Sequence, residues 1–133
     1  MQNDVCHATQ LRKAYRKATS RYDDLLAPLG INIGQFSLLR NIRRMAPVSL
    51  TDLGTRVELD RSTVGRNSKV LERMGLIATV PGKDKREAML TITEKGHDIL
   101  DAGAPLWDQA QREFETRLGP QNMKVLADLL SSL

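Results

Sequence analysis

Hydrophobic residues recur at helical spacing in the first part of the chain. Between residues 7 and 28 the apolar positions are Leu11, Ala14, Tyr15, Ala18, Tyr22, Leu25 and Leu26. Cations lie mostly on the other faces. The pattern predicts a long amphipathic helix over 7–28, stopped by Pro28 and Gly30. A second helix is predicted from Ile33 to Met45, with its inward positions at Phe36, Leu38, Leu39 and Ile42.

Two shorter helices and a hairpin are predicted next. Ser49 is the expected N-cap of a helix over 50–57, and Asp60 the expected N-cap of a helix over 61–74 that ends at Gly75. Two short helices with so tight a turn form a helix-turn-helix. Strand-like runs over 76–80 and 88–92, separated by a turn over 81–85, then predict a β-hairpin, which in this position is a wing.

The last third of the chain is predicted to be helical. Thr93 is the expected cap of a helix over 94–118, and Pro105 should kink or break that helix because proline lacks the amide hydrogen. A final helix is expected over 121–130. The predicted class is therefore mainly α with a small β-hairpin wing. The helices at both ends carry more apolar surface than the central block needs, which favours a core shared between subunits.

Charge is concentrated in the middle of this 133-residue chain, whose formal net charge is +4. Residues 40–86 contain 11 Lys+Arg and 5 Asp+Glu, a net charge of +6, and the remainder has a net charge of −2. Such a distribution is typical of nucleic-acid binding, although a solvated basic face is the simpler interpretation. No apolar run is long enough to span a membrane, and no secretory signal is recognisable at Met1, so a cytoplasmic location is expected.

Cations occupy one predicted face of the helix over 61–74. On a helical wheel Val64, Asn67, Ser68 and Leu71 share one side, and the opposite side carries Ser62, Arg66, Lys69 and Arg73, flanked by Arg61 and Thr63. Guanidinium, ammonium and hydroxyl groups are the donors that guanine edges and phosphates accept. A charged solvent face is the alternative. The position on the second helix of a helix-turn-helix favours DNA, as do Lys83, Lys85 and Arg86 at the wing tip.

With these residues in view, the chain strongly resembles the MarR family of winged helix-turn-helix repressors from about Leu11 to Leu130. The stretches that carry the resemblance are Leu29-Gly30-Ile31, Gln35-Phe36, Leu38-Leu39, Leu53 to Leu59, Asp60-Arg61-Ser62-Thr63-Val64, Leu71 to Ile77, Asp84-Lys85-Arg86 and Thr91 to Gly96.

The resemblance implies one MarR-like domain over 1–133. The winged helix-turn-helix would occupy 33–92, and the helices over 7–28 and 94–131 would join two copies into a homodimer. Each recognition helix would enter a major groove of a pseudo-palindromic operator. Arg86 would enter the minor groove and Asp84 would orient a neighbouring arginine. Gly65 departs from the small hydroxyl residue of many relatives, which puts one base contact in doubt.

Members of the family that the chain resembles are commonly released from DNA by small aromatic anions or by oxidation of a cysteine. Cys6 precedes the first helix and lies beside His7, a position that would lower the pKa of the thiol and make it more reactive to oxidants. The alternative is an inert thiol at the end of the chain. A phenolic effector would bind near Tyr15, Arg16, Tyr22 and Phe36, although aromatics at helical spacing more often belong to a core.

Other functions have little support in the residues. One cysteine and two distant histidines make no convincing metal site, and no phosphate loop or Ser/His/Asp set points to catalysis. No cofactor is expected. The chain is predicted to be a DNA-binding transcriptional regulator that an effector or oxidant releases. The alternative is a winged-helix module that binds a protein, for which apolar or mixed-charge residues would be expected on the recognition face.

Overall fold

The structure is a computed structural model that describes residues 4–84 and 86–133. Its elements in chain order are α1 His7–Leu26, a 3₁₀ turn Ala27–Leu29, α2 Ile33–Met45, α3 Leu50–Val57, α4 Arg61–Arg73, β1 Ile77–Pro81, β2 Ala88–Ile92, α5 Glu94–Leu118 and α6 Pro120–Ser131. The predicted class, mainly α with a hairpin wing, is confirmed. The predicted ends of α1, α4, β1 and α6 differ from the observed ends by one or two residues.

Side-chain caps set the beginnings of the central helices. Ser49 accepts a hydrogen bond from the amide of Asp52, and Thr93 accepts one from the amide of Gly96. Asn32 and Gln35 form a reciprocal capping box at the start of α2. Because each cap satisfies amides that have no partner within the helix, the chain begins each helix where the cap residue lies.

One buried cluster joins the helix-turn-helix to the long helices. The four inward residues predicted for α2 are all buried. They pack with Leu53 of α3, Leu71 of α4 and Leu100 of α5, among others. The hairpin is antiparallel, with Ile77 opposite Ile92. Val48 exchanges both backbone hydrogen bonds with Leu90, which attaches the segment before α3 to the wing.

Pro105 does not break α5, and the predicted alternative of a break is wrong. The helix continues from Glu94 to Leu118 with Pro105 inside it. Residues on both sides of the proline pack on the core: Gly103 is buried against Phe36, and Leu106 and Trp107 lie against the same cluster. This packing outweighs the one backbone hydrogen bond that proline removes.

Candidate nucleic-acid interface

The turn between α3 and α4 brings the two helices close together. Glu58 ends α3 in the left-handed conformation, with φ 56°, and the amide of Leu59 donates to the carbonyl of Gly54 at 3.0 Å. A Cβ atom on Gly54 would lie 3.0 Å from the carbonyl oxygen of Leu59. The absence of a side chain at Gly54 therefore permits the close turn of the helix-turn-helix.

Asp60 organises the N-terminus of α4. Its carboxylate Oδ1 accepts hydrogen bonds from the Thr63 amide at 2.7 Å and from the Ser62 hydroxyl at 2.8 Å. These bonds, the amide of Thr63 first, lower the pKa of Asp60 from 3.8 to about 2. The predicted cap is confirmed, and it places a carboxylate beside the first residues of the recognition helix.

The face of α4 that points away from the core is cationic. Val64, Ser68 and Leu71 are buried, whereas Arg61, Ser62, Arg66, Lys69 and Arg73 are exposed and Thr63 is half-buried. Among the described residues, the ion pairs are Arg21 with Glu113 and Arg43 with Asp101, and neither involves α4.

Asn67 lies on the surface, so the helical wheel was wrong to place it inward. The buried stripe of α4 is narrower than the wheel suggests, because α4 borders an open cleft along the side that carries Asn67 and Val70. The side chain of Asn67 is thus a polar group on α4 that the pattern did not include among the candidates.

The C-terminus of α4 is held by the start of α5. The Lys95 ammonium donates to the Met74 carbonyl at 2.9 Å, and the Thr93 hydroxyl donates to the Gly75 carbonyl at 2.7 Å. On the wing side, the Thr79 hydroxyl donates to the Glu72 carboxylate at 2.7 Å. Both ends of the recognition helix therefore have fixed partners. Sequence reasoning found Thr93 as a helix cap but missed its second bond, which depends on tertiary contact.

Hydrogen bonds shape the wing tip. The amide of Gly82 donates to the Glu87 carbonyl at 2.8 Å, and the Asp84 carboxylate accepts from the Arg86 amide at 3.2 Å. The side chains of Lys83 and Arg86 are exposed, and so is Asp84. Asp84 thus contacts the backbone of Arg86. Lys85, the other predicted wing contact, lies outside the described residues.

The predicted effector residues do not share one cavity. Tyr15 lines a cleft of about 600 Å³ between α1, α2 and α4, together with Thr19, Leu38 and Val70. Tyr22 lines a neighbouring cavity of about 500 Å³ near Trp107, which shares Thr19, Ile33 and Ser37 with that cleft. The Tyr22 hydroxyl bonds to Gln111, and burial raises the pKa of Tyr22. The side chain of Arg16 is exposed and lines neither cavity, and Phe36 belongs to the core.

Cys6 is exposed and directly precedes α1. Hydrogen bonds from the hydroxyl and the amide of Thr9 lower the pKa of the thiol below its ordinary 9.0. The lowered pKa of Cys6 agrees with the expectation, and Thr9 is the residue that contributes most to it. In the described part of the chain no cluster of three His, Cys, Asp or Glu side chains is arranged to hold a metal ion. Within those same residues, no helix combines the length and the apolar character that crossing a bilayer requires.

Helix-turn-helix, wing and long flanking helices together define a winged helix-turn-helix protein. The MarR family model matches residues 31–88. The M. tuberculosis transcriptional regulator MosR, solved in complex with DNA, is 31% identical, with a TM-score of 0.83 over 96% of this chain and 96% of that chain. The chain therefore belongs to the MarR family, and the predicted resemblance is confirmed.

Other relatives agree in fold and class. A MarR mutant of E. coli complexed with operator DNA is 23% identical, with a TM-score of 0.85 over 94% of this chain and 91% of that one, which shows the shared fold. An uncharacterised HTH-type transcriptional regulator of Bacillus subtilis, YwoH, is 27% identical over 86 residues, which are 65% of this chain and 63% of that protein. The chain thus spans less than two thirds of the length of this curated relative.

Proposed function

We propose that the chain is a homodimeric, sequence-specific regulator of transcription that binds double-stranded DNA through α4 and the wing. The observation that carries the proposal is the row of exposed cations along α4, none of which lies within ion-pair distance of a described carboxylate. Cations left unpaired on a folded surface are free to replace the counterions of phosphates, which is the main source of affinity for DNA.

The proposed contacts divide by chemistry. Arg66 carries the planar fork that matches the O6 and N7 acceptors of guanine, and its Nη2 lies 3.3 Å from the Thr63 hydroxyl in the free protein. Lys69 and Arg73 lie further along the same face, where an ammonium or guanidinium group meets phosphates. Arg61, Thr63, Lys83, Asp84 and Lys85 complete the proposed surface, and Arg86 is assigned to the minor groove.

The homodimer is proposed on the exposed apolar surface of the terminal helices. Leu11 and Tyr15 of α1 are 52% and 63% exposed, and Leu129 of α6 is 62% exposed. Val125 and Leu130 of α6 are also exposed. A second copy would remove this surface from water, which favours association. Under this proposal 7–28 and 94–131 are the dimerisation helices and 33–92 is the DNA-binding part.

Release by a signal is the third part of the proposal. The cleft lined by Tyr15 also touches Asn67 and Val70 of α4, so a small aromatic or phenolic molecule bound there would contact the recognition helix directly. Oxidation of Cys6 is the second route, because the hydrogen bonds from Thr9 favour the reactive thiolate. We propose that the regulator is a repressor, which either signal would release from its operator.

The test is a binding selection from fragmented genomic DNA, followed by fluorescence anisotropy on the selected site and on random DNA. We expect the selected site to bind at least about a thousandfold more tightly. Arg66→Ala should weaken the selected site by about 1–3 kcal/mol and relax one base position, and Lys69→Ala should weaken both DNAs alike. Lys124→Ala on α6 is the matched control and should change neither affinity.

Two results would contradict the proposal. Equal, weak binding of the wild-type protein to all fragments would favour the alternative, a winged-helix module that binds a protein. Loss of affinity in the Lys124→Ala control equal to that of Lys69→Ala would show that total charge, and not the face of α4, determines binding.

A further inference from the structure

Ser62 has one hydroxyl hydrogen, and the structure gives it a partner. The Ser62 Oγ lies 2.8 Å from Oδ1 of Asp60, which also accepts from the Thr63 amide. Because the pKa of Asp60 is about 2, its carboxylate carries no proton at neutral pH and can only accept. The serine must therefore be the donor in this contact.

On its solvent side the Ser62 hydroxyl oxygen can therefore only accept a hydrogen bond. A serine hydroxyl has one hydrogen and two acceptor positions, and its hydrogen is already used. Phosphate oxygens are acceptors, as are O6 and N7 of guanine, N7 of adenine and O4 of thymine. None of these groups can donate to Ser62. The groups in the major groove that can donate are the exocyclic amines, N4 of cytosine and N6 of adenine.

The charge of Asp60 also favours an amine over a phosphate as the partner of Ser62. A phosphate close enough to contact Ser62 would also approach the carboxylate, and like charges at short range repel. An amine hydrogen carries partial positive charge, so the same carboxylate attracts it. Ser62 is exposed at the second position of α4, in the part of a recognition helix that reaches base edges.

We propose that Ser62 is a specificity-determining residue that accepts a hydrogen bond from the exocyclic amine of a cytosine or an adenine, because Asp60 holds its only hydrogen. Asp60 is in this account a positioning residue that sets the polarity of the serine. The proposal rests on the proposed function, since it requires α4 to enter a major groove.

The test combines a protein variant with a base analogue. Binding sites are first selected with the wild-type protein, with Ser62→Ala and with Ser132→Ala, a matched control at an exposed serine beyond α6. We expect Ser62→Ala to lose preference at one position in each half-site and Ser132→Ala to keep every preference. At that position the base is then replaced by an analogue without the amine, purine for adenine or 2-pyrimidinone for cytosine.

The analogue should lower the affinity of the wild-type protein about threefold to tenfold more than that of Ser62→Ala, as expected for one hydrogen bond. The lost Watson–Crick bond affects both proteins equally and cancels in this comparison. Ser62→Thr, which retains a hydroxyl, should behave like the wild type.

Three results would overturn the inference. In the first, replacing the purine at the relaxed position by its 7-deaza analogue, which lacks N7, lowers the affinity of the wild-type protein but not that of Ser62→Ala. The second is an equal loss on all sequences, which would place Ser62 against a phosphate. The third is no relaxed position at all. Failure of the wild-type protein to select any site is a different outcome, because it refutes the proposed function itself.

Discussion

Gly96 lies where α5 meets the wing, and we predict that Gly96→Ala destabilises the protein. The glycine is buried in the first turn of α5. A Cβ atom there would lie 2.2 Å from the Leu76 carbonyl oxygen and 2.7 Å from Cγ1 of Ile92. Real Cβ atoms essentially never approach a neighbour below 3.0 Å, so the backbone at Leu76, just before β1, or that of α5 must move by at least 0.8 Å.

The expected magnitude follows from two opposing terms. Overpacking of this kind costs about 1–3 kcal/mol, and contact with backbone places the site at the upper end. Replacing glycine by alanine within a helix contributes about 1 kcal/mol in the other direction. The free energy of unfolding should therefore fall by about 2 kcal/mol.

Gly65→Ala is the matched control, because it makes the same change on α4 without the collision. The nearest atom to a Cβ at Gly65 is Cδ1 of Leu50, at 4.0 Å, which is an ordinary contact. Only the helix-propensity term remains there, so Gly65→Ala should raise the free energy of unfolding by about 0.5–1 kcal/mol.

Urea unfolding measures both changes. The single tryptophan, Trp107, packs against the core and reports unfolding by its fluorescence. Protomer concentration is held constant, since an associating protein gains stability with concentration. If Gly96→Ala is as stable as the wild type, or if both alanines shift stability in the same direction, the steric argument is refuted.

Three further predictions concern single side chains. Ser68 is buried and its hydroxyl has no hydrogen-bond partner among the described residues, so Ser68→Ala should raise the midpoint of urea unfolding, by about 1 kcal/mol in free energy; a lower midpoint would reveal a missed partner. The folded-state pKa of Asp60 is lowered from 3.8 to about 2, so its contribution to stability is complete above pH 3.8 and disappears as the pH falls toward about 2. The melting temperature of Asp60→Asn should therefore depend less on pH in this range than that of the wild type, and an unchanged pH profile would contradict the assigned cause. Arg86→Ala should remove a preference for A·T-rich DNA beside each half-site in a binding selection, and a retained preference would exclude Arg86 from the minor groove.

Much of the fold was predictable because its signals are local. Helix caps such as Ser49, Asp60 and Thr93 act within three residues of their own position, and all three lie where the sequence predicts them. The inward positions of α2 were equally clear, since a helix buries a stripe with a fixed period. The cationic residues of α4 follow the same period, which is why the candidate site could be listed before its geometry was known.

The errors and omissions depend on contacts between distant residues. Pro105 reads locally as a helix breaker, but packing of α5 on the core keeps the helix continuous. Asn67 falls on the inward side of a wheel, but the cleft beside α4 leaves it exposed. Tyr15 and Tyr22 have similar helical positions, and only their neighbours place them in different cavities.

The sequence by itself determined which segments are helix or strand and which faces are apolar or charged, because capping and periodicity act over a few residues. Tertiary structure decided how α5 closes on both α4 and the wing, through Thr93 to Gly75 and the close approach at Gly96. It also decided that the Lys95 ammonium donates to the Met74 carbonyl, 21 residues earlier in the chain. Such facts depend on atom positions within a few tenths of an ångström, which a pattern of residue types does not specify.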